Sequence, residues 1–138
     1  MESSVMDLML RILIGLIIAI VLHELTHLLV IFYYKIPVKA IIITKWTAFG
    51  FLIENENYMN DGKKLILLHF LPLIWCLMIF INPNEVFFYM FPFVNIFGGL
   101  GDFYFYFKIK TLSSKMRIKW ANNCDEKLLK SAIWKREI

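Results

Sequence analysis

Three long apolar stretches, separated by short polar segments, dominate the pattern along the chain. They cover about residues 5–34, 65–81 and 86–107. A helix that crosses a bilayer needs about 17–25 predominantly apolar residues. The pattern therefore predicts a mainly α, multi-pass membrane protein with three transmembrane helices. Pro37 follows the first stretch closely and is expected to end its helix, because the residue before a proline disfavours helical conformation.

Residues 38–53 have a different pattern from the three spans. The segment is rich in β-branched and aromatic residues, and it is too short for another span. We expect one or two strands here, forming a hairpin that turns near Thr44–Thr47 at the membrane surface. A short re-entrant segment is the alternative.

The polar and basic tail, residues 108–138, follows the third span. Within it, residues 125–136 carry Leu128, Leu129, Ala132 and Ile133 on one side of a helical projection. Such a pattern is typical of an amphipathic helix at a surface or interface. No second domain is indicated, so residues 1–138 are interpreted as one membrane-embedded domain.

Composition supports membrane insertion and excludes some other classes. Of the 138 residues, 59% are hydrophobic and only 19% are charged, which is more apolar than soluble domains usually are. The first apolar run is too long for a signal-peptide core, so we expect an uncleaved span. The net charge of +4 does not predict nucleic-acid binding, because the basic residues flank the spans. The two cysteines, Cys76 and Cys124, form no metal-binding or disulfide pattern.

The distribution of basic residues predicts an orientation. The loop between the first two spans is rich in lysine, as is the tail, whereas the turn at residues 82–85 contains no basic residue. Cytoplasmic loops carry the excess of Lys and Arg. We therefore expect a cell-membrane protein with its N-terminus outside and its C-terminus in the cytoplasm.

The motif His23-Glu24-Leu25-Thr26-His27 lies inside the first predicted span. Histidines four residues apart project from one face of a helix, where both can bind one Zn²⁺ ion, and Glu24 between them suits a general base. Ionisable groups are costly inside a membrane, so a functional role is the default hypothesis. The alternative is a polar cluster that pairs helices or lines a pore.

A catalytic zinc site needs a third protein ligand. Asp102 is the first choice, because it and His27 lie at similar distances from the basic residues that flank their spans, about 9–12 Å at the helical rise of 1.5 Å per residue. His69 lies at a comparable depth and is the alternative ligand. It can also contact substrate or an oxyanion, or pack between helices. Glu85, at the opposite side of the bilayer, and Asp125, in the tail, are not favoured.

These residues resemble those of intramembrane zinc metalloproteases. HExxH on a first membrane helix with a late aspartate is similar to the site-2 proteases. The order of HExxH, a strand-like stretch, Leu71-Pro72 and Gly101-Asp102 resembles the small membrane zincin peptidases more closely. The resemblance implies that His23, His27 and Asp102 are zinc ligands and that Glu24 is the catalytic glutamate.

The resemblance extends less strictly to Asn95. An asparagine precedes the aspartate ligand in site-2 proteases, where it is thought to contact substrate, and Asn95 lies seven residues before Asp102. The sequence here reads Leu-Gly-Asp, whereas those enzymes have an Asp-Gly pair after the leucine.

The function expected from these features is a membrane-embedded zinc protease that acts on a membrane protein or peptide substrate. Strands in residues 38–53 can hold an extended substrate by β-addition. The alternative is a non-catalytic membrane protein with an ion-handling cluster or a structural metal site, in which His69 completes a closed four-ligand set. The sequence indicates no oligomeric state.

Overall fold

The computed structural model describes residues 2–43 and 50–137. In this part of the chain the protein is mainly helical and carries one small antiparallel sheet. The helices are α1 (Glu2–Tyr33), α2 (Gly62–Phe70), α3 (Val86–Phe97), α4 (Leu100–Thr111) and α5 (Ser114–Leu128). The strands are β1 (Val38–Ile42), β2 (Gly50–Ile53) and β3 (Ala132–Lys135), and 3₁₀ segments cover Asn55–Asn57, Leu71–Phe80 and Leu129–Ser131.

Three helical stretches are long and apolar enough to cross a membrane. They are Ser4–Tyr33, Gly62–Phe80 and Val86–Thr111, with 30, 19 and 26 residues. The predicted number of helices able to cross a membrane is therefore confirmed, and their starts lie within about three residues of those expected. In the most apolar window of each stretch, only 11%, 22% and 22% of the residues are buried inside the protein.

The first and third spans pack closely at Gly15. A Cβ atom at this position would lie 2.9 Å from Met90 Cγ and 2.9 Å from the Phe87 carbonyl oxygen. Glycine is therefore needed at this position for α1 to approach α3. Near the same end of the bundle, Arg11 binds Glu85 at 2.8 Å, so the start of α1 lies beside the turn at residues 82–85.

The third span is two helices rather than the single helix expected over residues 86–107. Helix α3 ends at Phe97 and α4 begins at Leu100, with Gly98 and Gly99 between them. A Cβ atom on Gly98 would lie 2.6 Å from the carbonyl oxygen of Val94. The backbone can therefore adopt this conformation only because residue 98 has no Cβ atom.

The second span changes its helical form at Pro72. Helix α2 ends at Phe70, and a 3₁₀ helix continues to Phe80. Proline has no N–H group, so residue 72 cannot donate the α-helical hydrogen bond to the carbonyl of Leu68. That carbonyl is consequently available to another donor.

The predicted strands over residues 38–53 are present, and they pair antiparallel. Ala40 lies opposite Leu52, and Ile42 lies opposite Gly50. The turn expected near Thr44–Thr47 lies outside the described residues. A third strand, β3, pairs antiparallel with the other side of β1, so the order is β2-β1-β3.

The helix predicted over residues 125–136 is wrong beyond Ser131. Helix α5 ends at Leu128, a 3₁₀ turn covers Leu129–Ser131, and residues 132–135 form β3. Leu128, Leu129 and Ala132 do share one apolar surface, because all three pack on the small core of the sheet. Ile133 and Trp134 favour extended conformation, and β1 offered an unpaired edge to them. Long-range pairing therefore overrides the local helical pattern.

The main core lies where the spans meet the sheet and α5. Its buried residues come from α1, β2, α2, α4, α5 and the connecting loops; they are Val30, Ile31, Ile36, Ile53, Tyr58, Met59, Leu65, Leu68, Ile109 and Ala121. This core fixes the second half of α1 against α2 and α4. The HELTH motif lies in that half of the helix.

Candidate metal centre and its cavity

His23, His27 and Asp102 form a group that could hold a metal ion. One turn of α1 separates the two histidines, and their Nε2 atoms lie 3.1 Å apart. Asp102, in the first turn of α4, places Oδ2 3.2 Å from His27 Nε2 and 3.7 Å from His23 Nε2. One ligand atom from each of the three residues lies within 4.8 Å of the others.

The tautomer of His23 follows from its contact with Asn95. The Asn95 side-chain nitrogen donates to the Phe91 carbonyl at 2.7 Å, so its oxygen faces His23 Nδ1 at 2.9 Å. An amide oxygen accepts only, and we therefore assign the Nδ1 proton to His23 as the donor. Asn95 is fully buried, which keeps water away from this contact.

The tautomer of His27 follows from a backbone carbonyl. His27 Nδ1 lies 2.7 Å from the oxygen of Leu68, and a carbonyl oxygen can only accept. This is the carbonyl that Pro72 leaves without an α-helical donor. The proline in the second span thus provides the hydrogen-bond partner for a histidine in the first.

Both Nε2 atoms are consequently unprotonated when the imidazoles are neutral. Two lone pairs 3.1 Å apart repel each other unless a cation lies between them. Four ligands arranged tetrahedrally at zinc distances lie about 3.3 Å from one another, close to the separations here. Zinc-bound histidines usually donate their second N–H to a carbonyl or carboxylate, as both rings do here. The three residues therefore fit a zinc ion.

Thr26, also in the motif, fixes α1 to the second span. Its hydroxyl donates to the Leu22 carbonyl at 2.7 Å and accepts from Trp75 Nε1 at 2.8 Å. The sequence reasoning did not identify Trp75. A tryptophan inside an apolar span needs an acceptor for its N–H, and that requirement is the only sequence signal for this contact.

His69 contacts Asp102 rather than the two other histidines. Its Nδ1 lies 3.2 Å from Asp102 Oδ1, which leaves Oδ2 facing His23 and His27. His69 Nε2 is buried, with no partner in the described part of the chain. In this arrangement His69 holds the carboxylate of Asp102 in place. Its predicted roles as ligand or substrate contact stay predictions.

Glu24 lines the cavity beside the three residues. Within residues 2–43 and 50–137 its carboxylate makes no hydrogen bond or ion pair. Such a carboxylate is available to accept a proton from a molecule in the cavity. Asn95, by contrast, has both polar atoms occupied by His23 and Phe91, so its expected substrate contact also stays a prediction.

The cavity has a volume of about 640 Å³ and a mixed lining. Apolar side chains of α1 and α3, including Leu16, Ile20 and Phe97, contribute to it. All four residues of β2, Asn55 and three residues of α5 also line it. The candidate metal ligands therefore share one cavity with residues of the helices and of the sheet.

Asp125 enters the same cavity, although its position in the tail argued against it. It is 8% exposed, and its Oδ2 accepts from Asn55 Nδ2 at 2.9 Å. Lys39 Nζ lies 3.6 Å from the same oxygen. Burial raises the pKa of Asp125, and the contacts with Asn55 and Lys39 oppose that shift. Glu85 lies beside Arg11, away from these residues, as expected.

Comparison of the chain with protein-family models, with curated proteins and with solved structures found no match. The resemblance to membrane zincins therefore depends on the residues themselves.

Proposed function

We propose that this protein is a membrane-embedded zinc metalloprotease that cleaves peptide bonds in or near the membrane. The observation that carries the proposal is the convergence of two unprotonated Nε2 atoms and a carboxylate on one cavity. That cavity is also lined by Glu24, whose carboxylate makes no hydrogen bond or ion pair within the described part of the chain. The HELTH motif and Gly101-Asp102, which resemble those of small membrane zincin peptidases, support the same conclusion.

His23, His27 and Asp102 would hold the zinc ion, and Asn95, the Leu68 carbonyl and His69 would hold these ligands in position. When bound, zinc supplies a Lewis acid that polarises the scissile carbonyl and lowers the pKa of water towards about 7. Glu24 takes the proton from the attacking water and returns it to the leaving amine.

The β2 strand supports a substrate site next to this chemistry. Among the described residues it has no strand on its outer side, and all four of its residues line the cavity. A peptide that adds to this strand would be extended, with its carbonyl groups exposed for attack. A helical substrate must therefore unwind locally before it is cleaved.

The proposed setting is the cell membrane, with the bilayer around the three spans. The outward apolar side chains of these helices support insertion. The lysines near the sheet end and the absence of basic residues at 82–85 support an outside N-terminus and a cytoplasmic C-terminus. The cavity then lies nearer the cytoplasmic face.

The test is Glu24→Gln in the purified, zinc-replete protein. Cleavage of a membrane-peptide substrate should fall by about 10²–10⁴-fold, because general-base catalysis is lost, while the zinc content stays unchanged. Glu56→Gln, on an exposed loop residue, is the matched control and should retain full activity.

Two outcomes would contradict the proposal. Undiminished cleavage by the Glu24→Gln variant would exclude Glu24 as the base. Zinc bound by the wild type without cleavage of any peptide in a broad membrane-peptide library would favour the alternative, a non-catalytic structural metal site.

A further inference from the structure

A second pair of polar side chains, separate in sequence from the candidate zinc ligands, lines the cavity. Asp125 on α5 and Asn55 in the loop after β2 both line the cavity. Both are almost completely buried, with exposed fractions of 8% and 3%. Neither residue is needed by the proposed metal site or by the general base.

The contacts of Asp125 leave one of its oxygens available. Asn55 Nδ2 donates to Oδ2, and the ammonium of Lys39 lies nearest to the same oxygen. Asn55 also donates to Asn122 Oδ1 at 3.0 Å, so its amide is fixed in this orientation. Within the described part of the chain, Oδ1 accepts no hydrogen bond.

The charges around the cavity favour a cationic group at this position. Its described lining includes the carboxylates of Glu24, Asp102 and Asp125 but neither lysine nor arginine. A bound zinc ion would balance the charges of Glu24 and Asp102. Asp125 is then left with Lys39 as its charged partner. Lys39 is a third exposed and beyond hydrogen-bonding distance from Oδ2, so water competes for its ammonium.

We propose that Asp125, held in position by Asn55, forms a substrate subsite that binds a primary ammonium group, and that Lys39 competes for the same carboxylate when no substrate is bound. The inference rests on the proposed function, because it describes a substrate contact in the same cavity. It implies a substrate with apolar residues on one side of the scissile bond and a lysine, or a free N-terminus, on the other.

Binding of peptides to the full-length Glu24→Gln protein tests the subsite without requiring cleavage. Three fluorescent peptides share one apolar segment: the first has a lysine and a blocked N-terminus, the second has norleucine and a blocked N-terminus, and the third has norleucine and a free N-terminus. We expect the lysine peptide, the free-N-terminus peptide or both to bind about tenfold more tightly than the blocked norleucine peptide. Which of them does so identifies the source of the ammonium.

Two variants should change this preference in opposite directions. Asp125→Asn keeps an acceptor for Asn55 but removes the charge, so the preference should disappear. Lys39→Gln removes the internal competitor, so the ammonium peptide should bind several-fold more tightly. Affinity for the blocked norleucine peptide should stay within about twofold in both variants. Because Lys39→Gln leaves Asp125 in place, it keeps the test valid if Asp125→Asn does not fold.

Equal binding of the three peptides would overturn the inference, as would a preference that persists in Asp125→Asn or an absence of measurable binding. The proposed function is judged separately from cleavage by the wild type. A protein that shows the ammonium preference but cleaves nothing would retain the subsite and lose the protease proposal.

Discussion

At the scale of single residues, the candidate site depends on which nitrogen of each histidine is protonated. Asn95 fixes the proton of His23, and the Leu68 carbonyl fixes that of His27. The spacing of the HELTH motif and the depth of Asp102 made the grouping of His23, His27 and Asp102 predictable. The Leu68 carbonyl was not predicted, because a backbone atom leaves no side-chain signal. The only sign of it is Pro72, four residues later.

Pro72→Ala tests this account of His27. The new N–H would donate to the Leu68 carbonyl, so the His27 ring would lose its acceptor, and zinc affinity should fall by about 10–100-fold. Thermal stability should stay the same or rise, because alanine favours helix. A fall in zinc affinity without a fall in thermal stability would show that the substitution affects the position of His27 and does not destabilise the protein as a whole.

Pro92→Ala is the matched control for this experiment. Pro92 also lies inside a span, but among the described residues the carbonyl of Phe88, four residues before it, makes no hydrogen bond to a side chain of the site. Zinc affinity should therefore be unchanged. Equal affinities of Pro72→Ala and the wild type, measured by competition with a chelating dye, would refute the role of the Leu68 carbonyl.

At the scale of elements, the edge strand β2 links the sheet to the cavity. The strand character of residues 38–53 could be predicted from β-branched and aromatic residues. The third strand could not, because its pairing with β1 joins residues more than ninety positions apart, such as Ile41 and Trp134. The pairing of β3 covers one edge of β1 and leaves β2 as the edge that faces the cavity.

N-methylation of substrate amides tests whether β2 binds the substrate. In a strand added to β2, alternate residues direct their N–H groups towards it. A single N-methyl group at a position whose N–H points towards β2 should therefore lower kcat/KM by about tenfold, the usual effect of losing one hydrogen bond. Methylation at the intervening positions should have little effect, and these peptides are the internal control. A uniform loss at all positions, or no loss, would exclude β-addition.

At the scale of the whole molecule, three spans enclose one side of the site, and the sheet and α5 enclose the other. The spans were predictable because length and apolar character alone determine them. The position of α5 was not, since its tail residues return to the sheet through long-range contacts such as that of Asn55 with Asp125. Asp125 was therefore not favoured as a ligand because of its place in the sequence, yet it lines the cavity.

The orientation of the molecule can be tested by cysteine labelling in intact cells. In a background with Cys76 and Cys124 replaced by serine, Asn84→Cys should react with a membrane-impermeant maleimide from outside. Asn60→Cys, in the loop before α2, should react only after permeabilisation. The positive-inside rule predicts this pattern. The reverse pattern would contradict the proposed orientation and place the cavity nearer the outer face.

The most direct test of the central claim is the zinc content of the purified protein. Three proteins are purified in detergent with zinc supplied and analysed by mass spectrometry: the wild type, Asp102→Ala and the control Asp7→Ala. The control changes an exposed residue that is paired with Arg11. We predict about one zinc per chain in the wild type and in Asp7→Ala, and a large loss in Asp102→Ala. A wild type without zinc, or full retention of zinc by Asp102→Ala, would contradict the account.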